Sequence, residues 1–284
     1  MDKHSLFTYD MLSTTIIWTV AGLLGCLFFW LLGDLMRQGI PHLSWEFISE
    51  PPANAGRSGG ITSILVSTGL ILLICMVVAL PIGLGTAIFL SEYTAETHPL
   101  ATFTGRSLDV LASVPSIVFG LFGNAFFCQL LGLGFSILSG GLTLACMVLP
   151  ILVRTTEQGF RALPLEYRTS AAALGLSKRA TLIHLLLPAA IPALVVGFIL
   201  GLGRAIAETA ALIFTSGYVS RMPTSLFDSG RTLSIHIYDL SMNVPGGDQA
   251  AYATALVLIL CVLTLNSLAQ WMAKHWTYTR RMNI

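Results

Sequence analysis

Lysine occurs only three times in the 284 residues, as Lys3, Lys178 and Lys274, and none of them follows a glycine. The glycine-rich phosphate cradle that ends in Lys-Ser or Lys-Thr is therefore absent, so any ATP that drives this protein must bind elsewhere. Charge is scarce altogether. Asp, Glu, Lys and Arg make up 10% of the chain, against about 25% in soluble domains, and so apolar a chain cannot cover its surface with polar groups. The five cysteines, Cys26, Cys75, Cys128, Cys146 and Cys261, all lie in apolar runs, with no C-x-x-C pair and no His-rich spacing. They read as small buried hydrophobes. A cleavable leader is not expected, because the run 12–32 is too long for a signal core and no A-x-A site follows it. A net charge of +1 offers no footprint for nucleic acid.

What the chain has in abundance is apolar length. Mean hydropathy is +0.79, and six stretches are long enough to cross a bilayer. They fall at about 12–36, 62–91, 107–131, 135–157, 186–215 and 250–273, which predicts an all-α, polytopic membrane protein. The whole of 1–284 reads as one transmembrane domain. With the N-terminus inside, ten of the 15 Lys and Arg residues fall on the cytoplasmic side and four outside, with Arg204 inside a span. That asymmetry places both termini in the cytoplasm. Pro81, Pro115 and Pro150 each lie inside a span, where kinks can free backbone groups to line a pathway. Packing adaptation is the plainer reading. The pair Gly197-x-x-x-Gly201 favours close helix packing.

The loop 158–188 differs from the other polar segments. Pro164 can open a short helix, Leu165 to Leu174 are good helix formers, and Gly175 suits a C-cap. Ser177 can cap a second helix that begins with Lys178 and Arg179 and runs into the membrane near Pro188. A short helix with no core of its own calls for something to dock on, either a partner or the lipid surface.

One span also carries charge. Arg204 and Glu208 are four residues apart, so on a continuous helix they share a face and can pair. A charge in a span is costly, and such residues by default face a bundle interior or a water-filled path. Two readings stand side by side. The pair is a structural lock on helix orientation, or Arg204 binds an oxyanion through its planar fork while Glu208 competes for it and Thr209 adds a hydroxyl.

These segments resemble a known family. The loop is similar to the E-A-A-x3-G-x9-I-x-L-P motif of ABC importer permeases, here Thr169-Ser170-Ala171, then Ala172, Gly175, Leu185, Leu187 and Pro188. Thr169 stands where that motif has glutamate and Ser170 where it has its first alanine. The segment GLGRAIAETAALIF resembles the R-A-I-G-E-T stretch of phosphate-specific ABC permeases, with Ala207 in place of glycine. GGITSILVSTG at 59–69, GTAIFLSEY at 85–93, PSIVFGLFG at 115–123 and the stretch 237–258 look like further motifs of that family, in the family's order. The resemblance covers about 59–270, and the short first outer loop is similar to the PstA branch. It implies the type I ABC importer fold, a coupling helix in 158–188, and no cofactor or metal. It also implies three partners: a PstC-like permease subunit, a PstB-like ATPase dimer and a PstS-like periplasmic phosphate-binding protein. A sulfate or molybdate permease shares the loop pattern. An ion-coupled carrier with Glu208 as a proton site is the reading from another class. With no His in the expected spans and no Ser/His or paired-carboxylate set, an intramembrane enzyme is disfavoured.

Overall fold

The computed structural model describes residues 3–95 and 97–281, so Met1, Asp2, Glu96 and 282–284 of the expected 1–284 domain lie outside it. Among the described residues, five helical segments are long and apolar enough to cross a membrane, and a sixth forms if a bent pair counts as one span.

Helix α1 (Lys3–Gly39) is apolar through its middle, and its C-terminal end packs against the start of α12 (Asp248–Arg281). The two approach so closely that a Cβ at Gly39 would sit 2.8 Å from the Tyr252 carbonyl oxygen. The segment 40–61 is less irregular than its composition implies. Ser44 caps α2 (Trp45–Ser49) by accepting the Phe47 N–H, and a two-residue hairpin, β1 (Pro52–Ala53) with β2 (Ser58–Gly59), follows. Helix α3 (Thr62–Ile88) runs on through a π-helical turn, Phe89–Tyr93.

The expected third span is where structure and sequence part. Helix α4 (Pro99–Ser113) meets α5 (Ser116–Gly123, extended by a π turn to Leu130) at an angle of 103°. Val114 and Pro115 at the junction are extended, the conformation that the Pro115 ring favours for the residue before it. The stretch 107–131 is therefore not a straight span. Pro81 and Pro150, by contrast, sit inside continuous helices, α3 and α6 (Ile137–Arg161).

After α6 come α7 (Glu166–Ala173), α8 (Lys178–Thr181), a π turn at Leu182–Leu186, and α9 (Leu187–Ile206). Because the fifth span begins at Lys178, it includes His184, contrary to the expectation of no span histidine. Helices α3, α6 and α9 form the centre, around Ile71, Leu144, Val148 and Leu202. Gly201 serves packing as expected: a Cβ there would lie 2.6 Å from Val148 Cγ1. Of the cysteines, Cys75 and Cys128 are buried and Cys26 is exposed on α1, which corrects the expectation that all five are buried.

The segment 216–249 is ordered structure. It follows α10 (Ala210–Ile213), folds back over the start of α6, and leads into α11 (Leu233–Met242). The first N–H groups of α6 have no partners within the helix. Here Asp228 and Leu226 supply carbonyls to Ile137 and Leu138 at 2.9 and 3.0 Å.

Candidate functional site: the end of α9 and the loop at α7

The structure breaks the expected Arg204–Glu208 pair. Helix α9 ends at Ile206, with Arg204 in its last turn, where a cation suits the carbonyl end of the helix dipole. Glu208 lies beyond the break. Its carboxylate accepts the Ala211 N–H at 3.1 Å and so caps α10, while its backbone carbonyl accepts the Ser234 hydroxyl at 2.6 Å. Thr209 caps nothing with its side chain, and its carbonyl accepts the Ile213 N–H. Arg204 is exposed and makes no hydrogen bond or ion pair among the described residues. It continues a stripe of exposed side chains at helical spacing, Val196 and Leu200. The two charges thus serve different elements, and the intrahelical lock does not exist in this arrangement.

Behind α10 stands a buried polar cluster that sequence reasoning did not single out. Arg231 donates to the Tyr218 carbonyl at 2.8 Å, contacts His236 Nδ1 at 3.2 Å, and pairs with Asp239 at 2.9 Å. His236 packs so tightly on the 54–56 turn that a Cβ at Gly56 would meet its ring at 2.6 Å. Burial, with the Arg231 charge beside it, pushes the His236 pKa down to about 4, against a smaller opposing pull from Asp239. Burial likewise lowers the pKa of Arg231, with Asp239 opposing.

The α7 loop forms as its local signals dictate. Gly175 takes a left-handed φ of 71°, and the N–H groups of Gly175 and Leu176 close onto the carbonyls of Ala172 and Ala171, both at 3.0 Å. Ser177 caps α8 by accepting the Ala180 N–H at 3.2 Å. Thr169, Ser170 and Ala172 are exposed, whereas Ala171 is buried within the chain itself. Leu185, Leu187 and Pro188 are half-buried, and Leu186 between them is the side chain that enters the core, beside Phe160 and Ala190.

What holds α7 in place went unread in the sequence. Arg168 grips Glu92 through two bonds, Nη2 to Oε1 at 2.6 Å and Nε to Oε2 at 3.1 Å, and donates to the Phe160 carbonyl at 2.9 Å. The paired carboxylate raises the Arg168 pKa, against desolvation. Glu92 is the first acidic residue after Glu50, and that isolation was the available signal. A cavity of about 200 Å³ opens beside the pair, lined by Tyr93, Ala172, Leu176 and Lys178 among others.

Residues 79–278 match the family described as "Binding-protein-dependent transport system inner membrane component". The chain is 32% identical over 278 residues to the probable ABC transporter permease protein YqgI of Bacillus subtilis, covering 93% of this chain and 94% of that protein. It is 33% identical over 245 residues to the phosphate transport system permease protein PstA of Yersinia pestis, covering 85% and 82%. PstA 1 of Mycobacterium tuberculosis is 34% identical over 228 residues, covering 79% and 73%. In fold, the chain is similar to a bacterial alginate ABC transporter, with a TM-score of 0.62, 16% identity and 96% of each chain covered. The methionine transporter MetNI follows at 0.58 and 15%, covering 76% of this chain and 94% of that one. With most of its length matched by the family and its relatives, the chain belongs to the binding-protein-dependent transport system inner membrane components, as a PstA-type ABC permease.

Proposed function

We propose that this chain is the permease subunit of an ATP-driven importer of inorganic phosphate and forms half of the substrate pathway. One observation carries the reading. Arg204 presents an exposed, unpartnered guanidinium on a stripe that is otherwise apolar. In a membrane such a cation needs water or a counter-charge, and its fork fits two oxygens of an oxyanion at once. The names of the PstA relatives favour phosphate as that anion. Glu208 and Thr209 flank the path rather than pair across it.

The excess of Lys and Arg on one face supports an orientation with both termini and α7 in the cytoplasm. There α7 docks on a separate ATPase chain, which carries all ATP hydrolysis. Two exposed leucines, Leu165 and Leu174, flank α7 and offer apolar surface for that contact. The partners this implies are a PstC-like second permease, a PstB-like ATPase dimer and a PstS-like binding protein outside.

The test is purification in mild detergent with mass spectrometry of the attached chains, then uptake into proteoliposomes. The expected result is a co-purifying ATPase and second permease, with phosphate uptake that requires ATP. Competition by excess sulfate or molybdate would reassign the anion. Uptake independent of ATP would point to an ion-coupled carrier.

A further inference from the structure

On the face that carries α7, six charged side chains link four elements into one chain. Arg168 on α7 holds Glu92, in the π turn that ends α3, and donates to the Phe160 carbonyl on α6. Arg161 on α6 grips the same π turn from its other side, at the Leu90 carbonyl, 3.1 Å away. It also gives Nε to Glu157 Oε1 at 3.0 Å. The second oxygen of Glu157 takes Nη1 of Arg154 at 3.1 Å. Arg154 turns its remaining edge toward α4, with Nη2 2.7 Å from both the Gly105 carbonyl and Asp109 Oδ1. A cavity of about 300 Å³, lined by Arg106 and Thr102 besides these groups, lies along the chain and leaves it room to move.

Stability alone is a poor account of this arrangement. The exposed Arg154–Asp109 pair is worth about 0–1 kcal/mol, and Glu92 and Glu157 are largely buried at a desolvation cost that apolar side chains would avoid. The chain does extend onto α4, the helix that ends at the one sharply bent apolar pair among the described residues. Helix α4 buries only Ala101, Gly105 and Leu108 of its own residues and ends at the 103° bend. A few residues at an element's end are where hinge motion concentrates.

We propose that this ionic chain carries displacement of α7 to α4, and so sets the angle at Val114 and Pro115. Glu92, Glu157 and Asp109 are then positioning residues for transport that never touch the anion. The proposal rests on the reading that α7 docks on an ATPase.

The test uses the assembled complex in proteoliposomes and measures phosphate taken up per ATP hydrolysed. Asp109→Asn, at the exposed far end of the chain, should leave assembly and ATP hydrolysis within about twofold of wild type while uptake per ATP falls about tenfold. Glu92→Gln should do the same, with Glu92→Asp as the milder variant if assembly suffers. Links in series should not add: the Glu92→Gln, Asp109→Asn double variant should be no worse than the worse single. Exchanging the charges at Glu92 and Arg168 should recover uptake lost on reversing either one. Unchanged uptake per ATP in Asp109→Asn, or losses that multiply in the double variant, would overturn the ionic chain alone. A wild-type complex without ATP-driven phosphate uptake would overturn the function proposed above, and this inference with it.

Discussion

The Arg231 guanidinium lies 2.9 Å from the Asp239 carboxylate, with the two side chains only 11% and 15% exposed. Since Arg231 also holds the Tyr218 carbonyl, the pair ties the segment folded over α6 to α11. A buried pair of this kind is costly to break from one side, because the other charge is then left without a partner. Asp239→Asn should therefore loosen the cap over α6 more than Asp239→Ala combined with Arg231→Met. Hydrogen exchange of 216–240 checks the order.

The His236 pKa of about 4, against an ordinary 6.5, gives the cap a pH dependence. Above about pH 6.5 the ring is neutral in both folded and unfolded cap, and stability is full. Between about 6.5 and 4 the unfolded cap takes up a proton that the folded cap refuses, so stability falls as pH falls. The loss reaches at most the order of 3 kcal/mol and levels off below about 4. His236→Gln should flatten this slope in a thermal or exchange profile taken between pH 4 and 7.

Arg204→Gln should keep the assembled complex and remove most phosphate uptake, and Arg204→Lys should restore little, since an ammonium lacks the fork. Glu208 separates two roles. Glu208→Gln keeps an acceptor for the Ala211 N–H and should preserve stability, whereas Glu208→Ala loses the cap at about 1 kcal/mol. Full uptake by a stable Arg204→Ala protein would remove Arg204 from the pathway.

Leu174 is 79% exposed at the end of α7, while Ala171 three residues earlier is 1% exposed. Leu174→Arg should weaken ATPase co-purification without changing permease stability. Ala171→Arg should lower stability even in the isolated subunit, because the new side chain has no room inside the chain. Paired melting and pull-down measurements separate the two effects.

Gly175 is left-handed, with open space where a Cβ would go. Gly175→Ala should cost about 1 kcal/mol of loop stability through backbone strain alone. Exchange within 165–181 should rise while the spans stay protected.

The α7 loop was legible because its signals are local: a proline, a left-handed glycine and a capping serine within about fifteen residues of one another. The end of α9 was not. Nothing at Ala207 announces a stop, and the break involves Ser234, whose hydroxyl reaches the Glu208 carbonyl from 26 positions later. Helical spacing therefore suggested a pair that the fold pulls apart. Arg168 and Glu92 failed to register for the same reason, since 76 positions separate them. Pro115 was marked as a kink alongside Pro81 and Pro150. Residue type alone could not tell which proline would part its helix, because α3 and α6 pack on one another along their length and α4 does not.

The bend at Pro115 leaves a short apolar piece beyond it. Eight residues of α5 and seven of its π turn remain, from Ser116 to Leu130. At about 1.5 Å per residue they reach roughly 20 Å, well under the ~30 Å hydrocarbon core of a bilayer. Its exposed side is mainly apolar, with Leu121, Phe122, Phe126 and Leu130 around a single amide, Gln129. Wherever lipid rather than protein meets that side, the membrane must thin to match it. The thickness of the surrounding bilayer then becomes a force on α5, and acyl-chain length a variable to which this protein responds.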